Sequence, residues 1–258
     1  MDPLRRNLNA ASVAAAFTLL TAPALNVSAQ TSTTPPPATP APPKPPWQQS
    51  ASLGFSLTKG NSDNILFTAS YRAARKGRQS EFALGIDASY GEDNGTKNNE
   101  QLRAFAQYNW LFTERLYSFT RVEGLHDGIA DIDYRYTLSA GAGYYFIKDG
   151  KSVLSAEIGP GYTFERVGGV DNNYASLRFG QKYEHKFNDK TRVWQTLEYL
   201  PQVTDFANYI LTFEVGLETA LTEIISLRIS LRDMYDSVPA PGRKENDLRF
   251  VTGVAVKF

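Results

Sequence analysis

From Gln48 to the C-terminus the chain alternates apolar and polar residues with a period of two, in segments broken by short polar turns. A strand places successive side chains on opposite faces, so each segment predicts a strand with one apolar and one polar side. The last segment is the clearest: Phe250, Thr252, Val254, Val256 and Phe258 fall on one face, and Arg249, Gly253 and Lys257 on the other. The same alternation recurs upstream, as in Phe82, Leu84, Ile86, Ala88 and Tyr90, or Leu102, Ala104, Ala106, Tyr108 and Trp110. Ile132, Tyr134, Tyr136, Leu138, Ala140, Ala142, Tyr144 and Phe146 form the longest such set. About 12 segments result, an even number as bacterial barrels require, and no window beyond the extreme N-terminus is apolar for the ~18 residues of a membrane helix. The pattern predicts an all-β fold: a transmembrane antiparallel up-and-down β-barrel over residues 48–258.

The fifth segment, Leu116 to Leu125, fits least well, because Tyr117 and Phe119 share a face with Arg121 and Glu123. Tight connections are expected at Arg75 to Arg78, Thr113 to Arg115, Lys148 to Lys151, Asn188 to Lys190 and Thr222 to Ile224. They alternate with longer ones at Lys59 to Asn64, Glu92 to Asn99, His126 to Asp131, Val167 to Asn173, Pro201 to Asn208 and Asp236 to Asn246. Short turns face the periplasm in such barrels, which places both termini there.

Strand parity assigns the charged residues to the lumen, since a basic residue on the lipid face near midplane costs about 2–4 kcal/mol. The lumen-lining candidates are Arg103, Asp87, Arg135, Glu157, Arg178, Glu198, Glu214, Arg228 and Arg249, with Asp133 on the same parity. Their signs nearly cancel, which argues against strong ion selectivity. Lumen-facing glycines such as Gly85, Gly143 and Gly216 leave room for long side chains, and Trp194 shares their parity. Tyr108, Trp110, Phe112, Tyr144 and Phe187 form an interfacial aromatic girdle. Phe250, Val254, Val256 and Phe258 present the terminal aromatic pattern of an assembly signal for the barrel-assembly machinery.

The N-terminus reads as a signal peptide over residues 1–29, with Arg5 and Arg6 before an apolar stretch and Val27-Ser28-Ala29 as the cleavage site. Residues 30–47 follow as a proline-rich periplasmic linker; polyproline II at ~3.1 Å per residue spans roughly 50 Å. It is a stiff spacer with scope for a periplasmic contact. Cysteine is absent, which excludes disulfides and thiol chemistry, and the formal net charge is zero, so nothing favours nucleic-acid binding. No metal site or cofactor is expected.

Only His126 and His185 could serve a rim enzyme. His126 lies beside Asp127, near Asp131 and Asp133, and reads as a polar loop tip. His185 has lipid-facing parity near a turn, and no serine is expected beside it. No catalytic residue is assigned.

Gly60-Asn61-Ser62-Asp63, Asp133-Tyr134-Arg135, Gly159-Pro160-Gly161-Tyr162, Tyr199-Leu200-Pro201, Asp205-Phe206 and Tyr235-Asp236-Ser237 together give the span Gln48 to Phe258 a resemblance. It resembles the bacterial family of salt-induced outer membrane proteins. The resemblance implies a Gram-negative outer-membrane barrel and transfers no catalytic or binding residue. The expected function is a narrow passive channel for small hydrophilic solutes or ions, with a closed structural or envelope-stress barrel as the alternative. Outer-membrane lipid and lipopolysaccharide would surround it, and periplasmic chaperones would escort it to assembly.

Overall fold

The computed structural model describes residues 47–58 and 64–258. The stretch expected to be a signal peptide, the proline-rich stretch up to residue 46 and the connection at 59–63, which holds Gly60-Asn61-Ser62-Asp63, lie outside the described residues.

Twelve strands follow one another: β1 (Gln48–Thr58), β2 (Asn64–Lys76), β3 (Ser80–Asp93), β4 (Thr96–Leu111), β5 (Leu116–Asp127), β6 (Ile132–Lys148), β7 (Ser152–Val167), β8 (Val170–Lys186), β9 (Thr191–Gln202), β10 (Asp205–Ala220), β11 (Ile225–Asp236) and β12 (Asn246–Lys257). Each pairs antiparallel with its sequence neighbours, and β1 pairs with β12 to close the barrel. Closure leaves no strand edge unpaired, the condition for sheet to exist in a hydrocarbon layer. The closing seam is short: its register runs from Ser50↔Lys257 to Leu53↔Val254, whereas β1 and β2 pair from Gln48↔Ala74 to Thr58↔Asn64.

The barrel is turned inside out relative to a water-soluble protein. Leu102, Val122, Leu138, Ile158, Phe250 and Val254 are all exposed on its outer surface, while Arg135, Arg178, Asp127, Glu165 and Glu218 are buried within. So broad an apolar exterior is stable only against lipid. Among the described residues, no helix is long and apolar enough to cross a membrane.

The β5 parity resolves with its charges inward. Tyr117 and Phe119 therefore point into the lumen, where they are 1% and 2% exposed. Leu116 and Val122 take the lipid face.

Connection lengths depart from the expectation. The rim bearing the start of β1 and the end of β12 has turns of three or four residues, at 77–79, 112–115, 149–151, 187–190 and 221–224. The opposite rim has two-residue turns at 94–95, 168–169 and 203–204 instead of long loops. Asn94 (φ 49) with Gly95 (φ 76), and Gly168 (φ 58) with Gly169 (φ 75), supply the paired left-handed conformations of a twist-matched hairpin. Polar residues once past the apolar band still satisfy their backbones by pairing, so Glu92 to Asn99 and Val167 to Asn173 largely prolong strands. Among the described connections only Ser237–Glu245 is long.

A register irregularity between Ile132 and Tyr134 reverses parity at the start of β6. Ile132 is buried, and Asp133 stands exposed at the rim, 3.2 Å from Arg166. The lumen placement expected for Asp133 is thereby corrected.

Candidate functional site

The lumen is where the inward faces of the twelve strands bring buried polar chemistry together, and at mid-height it is crossed by a chain of ion pairs. Arg103 on β4 donates through Nε to Glu123 of β5 at 2.6 Å, and Arg121 Nη2 binds the other Glu123 oxygen at 2.6 Å. Arg121 Nε lies 3.8 Å from Glu198 of β9. Arg178 on β8 donates Nε to Glu198 at 2.9 Å and Nη1 to Glu157 of β7 at 2.6 Å. Gln107 of β4 and the Tyr117 hydroxyl donate to the same Glu157 at 2.7 and 2.9 Å. The chain Arg103–Glu123–Arg121–Glu198–Arg178–Glu157 thus returns to β4 through Gln107. Alternating sign lets each carboxylate accept from more than one donor, which a buried charge requires.

A second chain occupies the facing wall. Asp87 of β3 accepts Arg72 Nη2 at 2.7 Å and lies 3.4 Å from Arg232 of β11. Arg232 in turn donates to Glu214 at 2.5 Å, and Trp194 Nε1 donates to Glu214 at 3.1 Å. Arg249 of β12 reaches Asp127 of β5 at 2.7 Å and Ser89 at 3.2 Å. The contacts of Asp87 with Arg232 and of Arg249 with Asp127 and Ser89 join strands three to five places apart in the barrel order and so cross the lumen itself.

Aromatic side chains line the β4–β6 wall in the half of the lumen nearer the short turns. Leu111, Tyr117, Phe119 and Tyr145 form a buried cluster, with the Tyr117 and Tyr145 rings 4.8 Å apart and the Tyr145 hydroxyl donating to Glu81. The Arg178 guanidinium lies 5.1 Å from the Phe119 ring and that of Arg121 4.4 Å from Phe105. Glycine makes this packing feasible: a Cβ on Gly143 would stand 2.3 Å from the Tyr117 ring, and one on Gly216 2.0 Å from Trp194.

The opposite mouth is narrowed by the long connection Ser237–Glu245. Its Ala240 is 2% exposed, and a Cβ on Gly168 of the β7–β8 turn would lie 3.4 Å from Ala240. Beneath it, Arg135 Nη2 of β6 donates to Asp236 of β11 at 2.8 Å, and Arg135 Nε to Glu165 at 2.5 Å. Between this mouth and the mid-height chain lies a cavity of about 40 Å³, walled by Leu125, Leu200, Ile210 and Met234 on one side and by Arg103, Arg135 and Arg178 on another. That is room for a few water molecules, since one needs roughly 10–15 Å³.

Eight of the nine lumen-lining candidates are held by these bonds; Arg228 is the exception. It makes no ion pair among the described residues, and its guanidinium sits 4.5 Å from the Trp194 ring. Parity alone did not identify Asp127, Asp236, Tyr117, Phe119 or Tyr145 as part of this interior. Asp127 and Asp236 end their strands and resemble loop residues in sequence. The aromatics resemble lipid-facing ones, and only the charges sharing their face marked them as internal.

At the short-turn rim, the Ser152 Oγ lies 2.8 Å from His185 Nδ1 on the outer surface, so a serine does stand beside a lipid-side histidine. Strand pairing causes it, because Ser152 and His185 are cross-strand partners of β7 and β8. The contact uses Nδ1, and no carboxylate forms an ion pair with the ring among the described residues, so the pair lacks an orienting acid. His126 Nδ1 meets the Asp133 carbonyl at 2.9 Å, while Asp127 beside it points inward to Arg249. Among the described residues no three His, Asp or Glu side chains converge as metal ligands do. In the terminal strand, Phe250, Val254, Val256 and Phe258 are exposed on the outer face, and the Phe258 ring stacks on Tyr71 at 6.4 Å.

A family model described as "Protein of unknown function, DUF481" matches residues 51–258. A search of curated proteins finds no match. Among solved structures the barrel is similar to the NanC porin, with a TM-score of 0.50 and 11% identity over 82% of this chain and 100% of that one. It is similar to the same degree to an outer membrane channel from Pseudomonas putida F1, with a TM-score of 0.50 and 10% identity over 88% of this chain and 100% of that one. At such identities the likeness shows a shared fold.

Proposed function

The chain belongs to the family of proteins of unknown function DUF481, and on that footing we propose that it is a narrow passive channel for small hydrophilic solutes or ions. It would lie in the outer membrane of a Gram-negative bacterium with both termini periplasmic. The observation that carries this reading is the polar lumen, water-accessible at Lys182, Lys76 and Lys257 near the short-turn rim and constricted above by ion pairs. Charged groups on opposing walls fit a pore whose constriction passes small species and rejects large ones. Single-channel recording of the refolded chain from Gln30 tests it: small ohmic steps support a channel, and silence from a folded, heat-modifiable barrel overturns it.

The cross-lumen bonds favour a second reading, a closed barrel whose ion-paired interior stiffens the envelope. The resemblance to salt-induced outer membrane proteins belongs with this reading; transcript levels that do not respond to salt would remove it. In either case lipopolysaccharide and lipid surround the exterior, the terminal strand engages the barrel-assembly machinery after delivery by periplasmic chaperones, and the proline-rich linker offers a periplasmic contact. No enzymatic role is proposed for the rim.

A further inference from the structure

Charge in the lumen balances in total but not locally, and the imbalance is concentrated on one rung of the sheet. Arg192 of β9, Glu218 of β10 and Arg228 of β11 are successive cross-strand partners. Glu218 is the carboxylate between them, yet its oxygens serve Arg192 at 2.9 Å, Lys257 at 3.0 Å and the Ser226 hydroxyl at 3.1 Å. Arg228 is left over. Its partner on the far side is Gly253, and a Cβ there would stand 3.0 Å from the Leu53 carbonyl, so the rung continues across the seam at Gly54 without any acidic group. Arg228 is half-buried, and Lys182 of β8, which is exposed, also makes no ion pair among the described residues.

The guanidinium of Arg228 is also held in place. Trp194 lies 4.5 Å beneath it, fixed by its indole bond to Glu214, and the Arg192 guanidinium lies 5.5 Å from the same ring. A guanidinium resting on an aromatic face keeps its in-plane N–H donors free, and that planar fork matches a carboxylate or phosphate bidentately. The neighbouring wall of β12, β1 and β2 carries the small residues Ala255, Gly253, Ser50, Ser52 and Thr68 on the lumen parity, with the cations Arg72 and Lys257 as the cross-strand partners of Ser50, so no carboxylate faces the fork from that side. Among the described residues, Arg72, Arg103, Arg121, Arg135, Arg178, Arg192, Arg232 and Arg249 each form an ion pair with at least one lumen carboxylate.

We infer that Arg228, seated on Trp194 and bordered by Arg192, is a binding site for the carboxylate of a small hydrophilic organic anion entering from the short-turn rim. The site rests on the channel reading for its use in transport, but occupancy itself does not require an open pore. It also locates selectivity in one uncompensated residue, although the summed lumen charge is near zero.

Because Trp194 touches the guanidinium, binding has an optical readout independent of conductance. In a Trp47→Phe/Trp110→Phe protein, where Trp194 is the one remaining tryptophan, sodium glucuronate is titrated at constant ionic strength beside glucose and inorganic phosphate. The expected result is a saturable change in Trp194 emission with glucuronate, none with glucose, and at least about a tenfold weaker response in Arg228→Gln. A weaker phosphate response supports a carboxylate solute, whereas a stronger one overturns the carboxylate assignment. No saturable change, or an equal change in Arg228→Gln, overturns the site. Arg228→Lys, which keeps the charge and loses the fork, guards against misfolding of the glutamine variant; it is expected to retain anion preference at reduced affinity, and unaltered affinity would count against bidentate binding. Silence in bilayers with intact titration would sink the channel reading alone.

Discussion

Arg135 and Asp236 sit five strands apart in the barrel, on β6 and β11, and meet at 2.8 Å directly beneath the long connection Ser237–Glu245. Both side chains are nearly excluded from solvent, at 7% and 11% exposure. Asp236 also accepts the Val238 amide at 3.0 Å, so the latch and the start of the connection share one carboxylate.

Removing one partner of this pair leaves the other buried and uncompensated. Arg135→Ala is expected to destabilise the refolded barrel by about 3–5 kcal/mol in urea unfolding, since it strands both Asp236 and Glu165. Asp236→Asn should cost less, because Arg135 keeps Glu165, and should expose Arg243 and Lys244 to faster tryptic cleavage. Unchanged cleavage in both variants would show that the connection does not depend on the latch.

Gly143 and Tyr117 provide a steric test. Gly143→Val must displace a ring 2.3 Å from the new Cβ, and overpacking of this kind costs about 1–3 kcal/mol. Tyr117→Ala empties the space instead and removes a donor to Glu157. Its unfolding midpoint should also fall, while single-channel steps grow; a pore no larger than the parent's would place the constriction elsewhere.

At mid-height, Glu123→Gln leaves Arg103 and Arg121 sharing a neutral acceptor. The lumen then gains net positive charge at the level of this ion-pair chain, and reversal potentials in a salt gradient should shift toward anions. A shift toward cations would contradict the placement of this pair in the ion path.

The outward and inward faces can be separated within two residues. Leu138 is 51% exposed on the outer surface and Ser139 only 2% exposed inside. Leu138→Arg is expected to lower refolding stability in lipid vesicles by about 2–4 kcal/mol if near midplane, with a much smaller effect near the interface. Leu138→Met serves as the neutral comparison.

The turn at Asp149 supplies a pH test outside the apolar band. Its carboxylate accepts the amides of Ser152 and Lys151 at 2.5 and 2.8 Å, and these bonds hold its pKa below the ordinary aspartate value. A depressed folded pKa means the stabilisation is present above the unfolded value and is lost as pH falls through the folded one. The stability gap between the parent and Asp149→Ala should therefore be full at neutral pH and close below about pH 4. A gap that persists at pH 2 would show that the turn is held by something other than this carboxylate.

Twelve strands and their closure were legible because alternation along one strand is a local signal. Leu138 and Ser139 declare their faces by parity alone. What parity cannot convey is which residues meet across the lumen: Arg135 with Asp236 and Arg249 with Asp127 depend on side-chain reach over several strands. The irregularity that turns Asp133 outward leaves no mark in composition. Ser152 and His185 are far apart in sequence and meet through the register of β7 on β8. Loop lengths misled for a physical reason, since Asp93-Asn94-Gly95 and Gly168-Gly169 are hairpin sequences within polar stretches that resemble loops. Arg228 was assigned to the lumen with the other cations, but its isolation emerges only after every neighbouring carboxylate has found a partner.

The short register between β1 and β12, confined to the stretch from Ser50↔Lys257 to Leu53↔Val254, gives the cylinder a built-in hem. Main-chain bonds elsewhere run the length of the paired strands, so mechanical or thermal opening has least to break along this line. A newly threaded chain would complete its cylinder there last. The cylinder is therefore weakest where its first and last strands meet.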